Sequence, residues 1–117
     1  MDEAQYQRAR GLMGLCVRAR QAAFGEDGCL KQIRSGQCGA LLMDAGASAA
    51  TKEKYRAACQ RTATCLIELP EGLLYEATGR PGVAMAVGKG GLADQLIGLM
   101  NITTNESANH GGGASVE

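Results

Sequence analysis

Apolar residues recur at helical spacing near the start of the chain. Ala9, Leu12, Met13 and Cys16 form an i, i+3, i+4, i+7 stripe within residues 4–18, and Arg8, Arg10 and Arg18 fall outside it. Residues 21–24 (QAAF) read as a short strand that Gly25 ends. A second helix is predicted over 26–35. Cys29, Leu30 and Ile33 make its inner face, Asp27, Lys31 and Arg34 share its outer face, and Gly36 stops it. Residues 38–44 (CGALLMD) are almost continuously apolar, which suits a central strand covered on both sides. Ser48 is a candidate N-cap for a third helix over 49–61, with Tyr55, Ala58, Cys59 and Thr62 on one side.

The pattern continues in short units. Residues 64–69 (TCLIEL) form a strand ended by Pro70. Glu71 opens a short helix to Thr78, after which Gly79 suits the C′ position. Arg80, Pro81 and Gly82 make a tight loop before a buried strand over 83–87 (VAMAV). Residues 88–91 (GKGG) turn into a last helix striped by Leu92, Leu96, Leu99 and Met100. Helix and strand alternate throughout. The fold class expected is α/β, a three-layer α/β/α sandwich around a small mixed sheet of about four strands. Residues 1–100 are read as a single domain. Residues 101–117 are polar with a glycine triplet and are expected to be a flexible tail.

Composition narrows the function. The chain has 117 residues, 45% of them hydrophobic and 21% charged, which is the balance of one globular domain. Phe24, Tyr6, Tyr55 and Tyr75 are its only aromatic residues, too few for a base-stacking platform. Net charge is zero, so a nucleic-acid partner must be held by a local patch rather than by the bulk field. The five cysteines, Cys16, Cys29, Cys38, Cys59 and Cys65, are odd in number and lack CxxC spacing. They read as reduced apolar residues of a cytoplasmic protein. Cys29, near a helix start, is the one place a reactive thiol would fit. No apolar run reaches membrane-spanning length. His110, the single histidine, lies in the polar tail, so neither a metal set nor a Cys-His pair is legible. Residues 88–91 lack the spacing of a phosphate loop, and Asp44 reads as a loop or capping residue. No cofactor and no catalytic constellation are expected.

The richest segment is Phe24–Gly36 (FGEDGCLKQIRSG). Gly25 lets the backbone approach a ligand closely, and the free N–H groups of Glu26, Asp27 and Gly28 favour an anion. Lys31 lies one turn further along the face that carries Asp27, and Arg34 follows. The set suits a phosphate-rich partner. It equally suits an ordinary helix start with a solvated outer face.

Residues 11–48 (GLMGLCVRARQAAFGEDGCLKQIRSGQCGALLMDAGAS) resemble bacterial YlxQ-type proteins, which belong to the kink-turn RNA-binding ribosomal protein family typified by archaeal L-seven-Ae. Residues 74–87 (LYEATGRPGVAMAV) are similar to that family's helix end, variable loop and final strand. The resemblance covers about residues 4–100. It implies an α/β/α sandwich without catalysis, and binding of structured RNA, a ribosomal one included. In the family, the second helix's N-terminus enters the groove at tandem G·A pairs, and the loop before the last strand covers a flipped-out nucleotide. By position, the first site becomes Gly25, Glu26, Asp27, Gly28 and Lys31, and the second Arg80, Pro81 and Gly82. Arg18 and Arg20 are candidates for sequence-independent backbone contacts. This chain has Asp27-Gly28 where archaeal and eukaryotic members have Asn-Glu, and Arg80-Pro81-Gly82 where the loop is usually apolar. A monomer is expected. The alternative is a protein-binding scaffold of the same fold, docking through an apolar surface around Tyr75, Pro81 and Met85.

Overall fold

The helices begin and end on identifiable residues. Asp2 caps α1 (Glu3–Arg18): its carboxylate accepts from the Gln5 N–H, and the Gln5 side chain accepts from the Asp2 N–H. Ser48 caps α3 (Ala49–Thr62) by accepting from the Thr51 N–H. Gly25 precedes α2 (Glu26–Arg34), and Gly36, at φ 80°, follows it in the left-handed region. Between them run β1 (Ala22–Phe24), β2 (Cys38–Asp44), β3 (Cys65–Leu69), α4 (Leu73–Thr78), β4 (Ala84–Gly88) and α5 (Gly91–Ala108). The computed structural model describes residues 1–108, with side chains through residue 100.

The element order is the one the apolar pattern predicts, with small shifts at the ends. α4 opens at Leu73 rather than at Glu71, because Gly72 takes a left-handed N-cap conformation at φ 89°. Thr62, expected on the inner side of α3, ends that helix exposed, and its hydroxyl donates back to the Ala58 carbonyl. α5 continues past residue 100, where the polar tail was expected to begin, and reaches Ala108. No glycine or proline lies between 101 and 108 to stop it. The rest of the expected tail, with His110, lies outside the described residues.

The four strands form one mixed sheet in the order β1-β4-β2-β3. β2 and β3 are parallel, while β4 runs antiparallel to both β2 and β1. Side chains alternate across it. Ala40, Leu42, Ile67, Leu69, Met85 and Val87 pack with α1, α4 and α5 on one face. Leu41, Met43, Ala84 and Ala86 pack with α2 and α3 on the other. The near-continuous apolar run of β2 thus fills both faces of a central strand. Full burial of side chains such as Leu41 and Leu42 contributes about 1.5–3 kcal/mol each. The result is a three-layer α/β/α sandwich.

Candidate functional site

Strand direction places the site. β1 and β2 are each antiparallel to β4, so β1, β2 and β3 all run the same way. Their carboxyl ends and the start of β4 therefore share one edge of the sheet. That edge carries the turn into α2 after Phe24, the loop after Asp44, the loop after Leu69 and the 80–83 loop.

The register then joins two segments far apart in the chain. Phe24 pairs with Met85, so Gly25 and the loop before β4 are neighbours. Gly25, Glu26, Gly82 and Val83 line one cleft of about 180 Å³, floored by Thr51, Tyr55 and Ala84. Gly25 (φ 82°, ψ 154°) and Gly82 (φ 122°) hold backbone conformations that side chains disfavour. The guanidinium of Arg80 lies 4.8 Å from the centre of the Phe24 ring, a cation–π contact across the same rim.

The start of α2 is open for hydrogen bonding. Its first intrahelical bond runs from the Cys29 N–H to the Gly25 carbonyl at 3.0 Å, and among the described residues no side chain caps the preceding N–H groups. Those of Glu26, Asp27 and Gly28 are thus left facing outward with the positive end of the helix dipole. Glu26 is committed elsewhere, because its carboxylate meets Lys54 Nζ of α3 at 2.6 Å. Asp27, Lys31 and Arg34 are exposed. Along the helix axis, Lys31 stands roughly 7.5 Å and Arg34 roughly 12 Å from Glu26.

Asp44 organises the neighbouring part of the edge. It is 8% exposed, and its two carboxylate oxygens accept from the Gly46 N–H at 2.6 Å and the Gly72 N–H at 3.0 Å. Its own N–H donates to the Val83 carbonyl at 2.8 Å. One residue thus ties the end of β2 to the α4 N-cap and to the loop that borders the cleft.

Arg18 and Arg20 fall elsewhere. They end α1 and precede β1, so they lie toward the edge opposite Gly25. Arg20 lines a separate hollow there with Gln21, Gly36, Gln37, Gly88 and Lys89. The apolar surface imagined around Tyr75, Pro81 and Met85 does not form. Tyr75 is 61% exposed, but Met85 is completely buried between sheet and helices. Its place in β4 turns it to the core face. Cys29 does not suit a reactive thiol either. It is fully buried, and desolvation pushes its pKa up. Among the described residues, no three His, Cys, Asp or Glu side chains gather closely enough to hold a metal ion, and no helix is long and apolar enough to cross a membrane.

The sequence left several site residues unmarked. Lys54, Thr51 and Tyr55 reach the rim from α3, and no local motif announces them. Phe24 was legible only as the end of a strand, although an aromatic beside Gly25 was the available signal for the Arg80 contact.

No family model and no curated protein sequence matches the chain. Solved structures do. A Bacillus halodurans protein of unknown function shares 26% identity with a TM-score of 0.75, covering 80% of this chain and 96% of that one. A Giardia lamblia 15.5kD RNA-binding protein shares 16% identity with a TM-score of 0.69, covering 87% of this chain and 92% of that one. An archaeal translation termination factor, aRF1, shares 15% identity with a TM-score of 0.52, covering 65% of this chain and 22% of that longer one. The fold is therefore one found in RNA-binding and translation-related proteins.

Proposed function

We propose that this protein is a non-catalytic RNA-binding protein of the ribosome or of translation, that it acts as a cytoplasmic monomer, and that it recognises kink-turn RNA. The N-terminus of α2 and the 80–82 loop grip the RNA together. The observation that carries this reading is the shared cleft of Gly25 and Gly82. The likeness in fold to the Giardia RNA-binding protein supports the same reading.

Each residue has a chemical role in it. The N–H groups of residues 26–28 receive a phosphate or a base acceptor. Asp27 accepts from a guanine N–H, the one kind of contact that makes a carboxylate welcome beside RNA. Lys31 reaches a guanine edge or phosphate from one turn further on, and Arg34 adds a backbone contact. Lys54 neutralises Glu26, which lowers repulsion at the helix start. Pro81 and Gly82 form a small stiff ledge for a splayed base. Arg80, its guanidinium already held over the Phe24 ring, is placed to stack on that base.

The test is a gel-shift titration with a kink-turn duplex and with a duplex whose G·A pairs are replaced. Preference for the first is expected. Lys31→Ala weakens that binding by about 1–3 kcal/mol. Equal affinity for both duplexes removes the specific reading.

A further inference from the structure

The opposite edge of the sheet carries a second constellation, independent of the rim just described. Its hollow of about 450 Å³ is lined by Arg20, Gln21, Gln32, Gln37, Gly36 and Lys89, with no acidic side chain from the described residues. Two cations and three amides therefore face one space. Among the described residues, neither Arg20 nor Lys89 makes an ion pair. Asp94 lines the adjoining hollow and forms no ion pair with Lys89.

The backbones of the two cations are held in place. Gln21 and Gly88 are joined by a 2.9 Å bond from the Gly88 N–H to the Gln21 carbonyl, which sets Arg20 and Lys89 side by side. The Lys89 N–H donates to the Gln37 carbonyl at 3.1 Å. Its Cα lies so close to Gly39 that a Cβ built there would stand 3.0 Å away. Arg20 occupies the C′ position after α1 with φ 59°. The Arg20 N–H donates to Val17 and the Gln21 N–H to Cys16, the paired bonds of a Schellman ending. That position favours glycine, and the chain instead keeps an arginine there at a conformational cost. Strain carried by a cation at the mouth of an uncompensated basic hollow has the character of a functional feature.

We infer that this hollow is a second binding site, for a phosphorylated nucleotide, free or within a single RNA strand. Arg20 and Lys89 hold the phosphate. The amides of Gln32 and Gln37 both donate and accept, so they match a base edge. The hollow lies on the far side of the sheet from α2's N-terminus, so one molecule would engage two separate stretches of polynucleotide.

Amide NMR on the full chain tests this with two probes, adenosine monophosphate and octaadenylate RNA. Shifts at Arg20, Gln21, Gln37 and Gly88–Gly90 with both probes identify a mononucleotide site. Shifts with octaadenylate alone identify a strand site. The paired variant Arg20→Gly and Lys89→Gln should lose at least about tenfold in octaadenylate affinity, and its salt slope should fall by about 0.7 for each cation removed. Arg20→Gly suits the left-handed backbone, so this variant keeps its fold. No shift with either probe, or unchanged affinity in the paired variant, overturns the inference. The amides of Glu26–Gly28 report the first site separately, so failure of one reading leaves the other standing.

Discussion

Replacing Asp44 should do more damage than its place at the end of a strand implies. Its carboxylate satisfies two N–H groups, Gly46 at 2.6 Å and Gly72 at 3.0 Å, in a site only 8% exposed. Asp44→Ala leaves both donors without the acceptor. Gly46 and Gly72 are exposed, so water reaches the freed N–H groups and what is lost is two part-buried hydrogen bonds to a charged group, each about 1.5–3 kcal/mol, or about 3 kcal/mol together at the lower end of that range. Domains of this size are stable by roughly 5–15 kcal/mol, so this is a large share. Asp44→Asn keeps one carbonyl oxygen and should lose about half as much. The order Asp, Asn, Ala in falling stability is the signature of acceptor loss rather than of a changed volume. The chain has no tryptophan, so urea unfolding is followed by far-UV circular dichroism. The midpoint should fall at constant slope. An Asp44→Ala variant within 0.5 kcal/mol of the parent would refute the reasoning.

Close packing at Gly39 and the buried thiols give two further expected outcomes. In Gly39→Ala the new Cβ would stand 2.8 Å from the Ala93 Cβ and 3.0 Å from the Lys89 Cα, so stability should fall by about 1–3 kcal/mol, read by the same urea titration. Desolvation pushes the Cys38 and Cys59 thiols up to about 11, above their ordinary value near 9, so the folded state favours the neutral thiol. Stability from this source is complete below pH 9 and is lost as pH rises through 11; thermal melts across that range should show the loss, and replacing both cysteines by alanine should make it shallower, the raised Cys16, Cys29 and Cys65 thiols and the raised Tyr55 hydroxyl supplying the rest.

Legibility followed distance along the chain. The inner faces of α1 and α2 were read from apolar spacing, and Ala9, Leu12, Met13, Cys16, Cys29, Leu30 and Ile33 are all buried. Each depends only on neighbours within two helical turns. The end glycines were legible for a similar reason, since a left-handed turn must follow the helix that it closes. What stayed hidden are pairings between residues that no local rule relates. Glu26 with Lys54 and Asp44 with Gly72 are each 28 positions apart. The neighbouring of Arg20 and Lys89 likewise depends on the β1–β4 register.

The position of β4 had a local signature after all. A parallel connection must return the chain along the height of the sheet, which for a five-residue strand is roughly 17 Å. α3, with 14 residues and roughly 21 Å, makes that return after β2, and α2, with 9 residues and roughly 13 Å, makes it after β1, whose three residues span only roughly 10 Å. α4 has 6 residues and is roughly 9 Å long, too short to carry the chain back. The next strand must then begin at the edge where β3 ended and run antiparallel to it. A short helix between two apolar strands therefore already implies that the loop before β4 lies on the same edge as the end of β2. Pairing of β4 with β1 as well as with β2 brings that loop against Gly25. The rim is thus a consequence of one truncated helix, and lengthening α4 by two turns would remove the reason for β4 to start there.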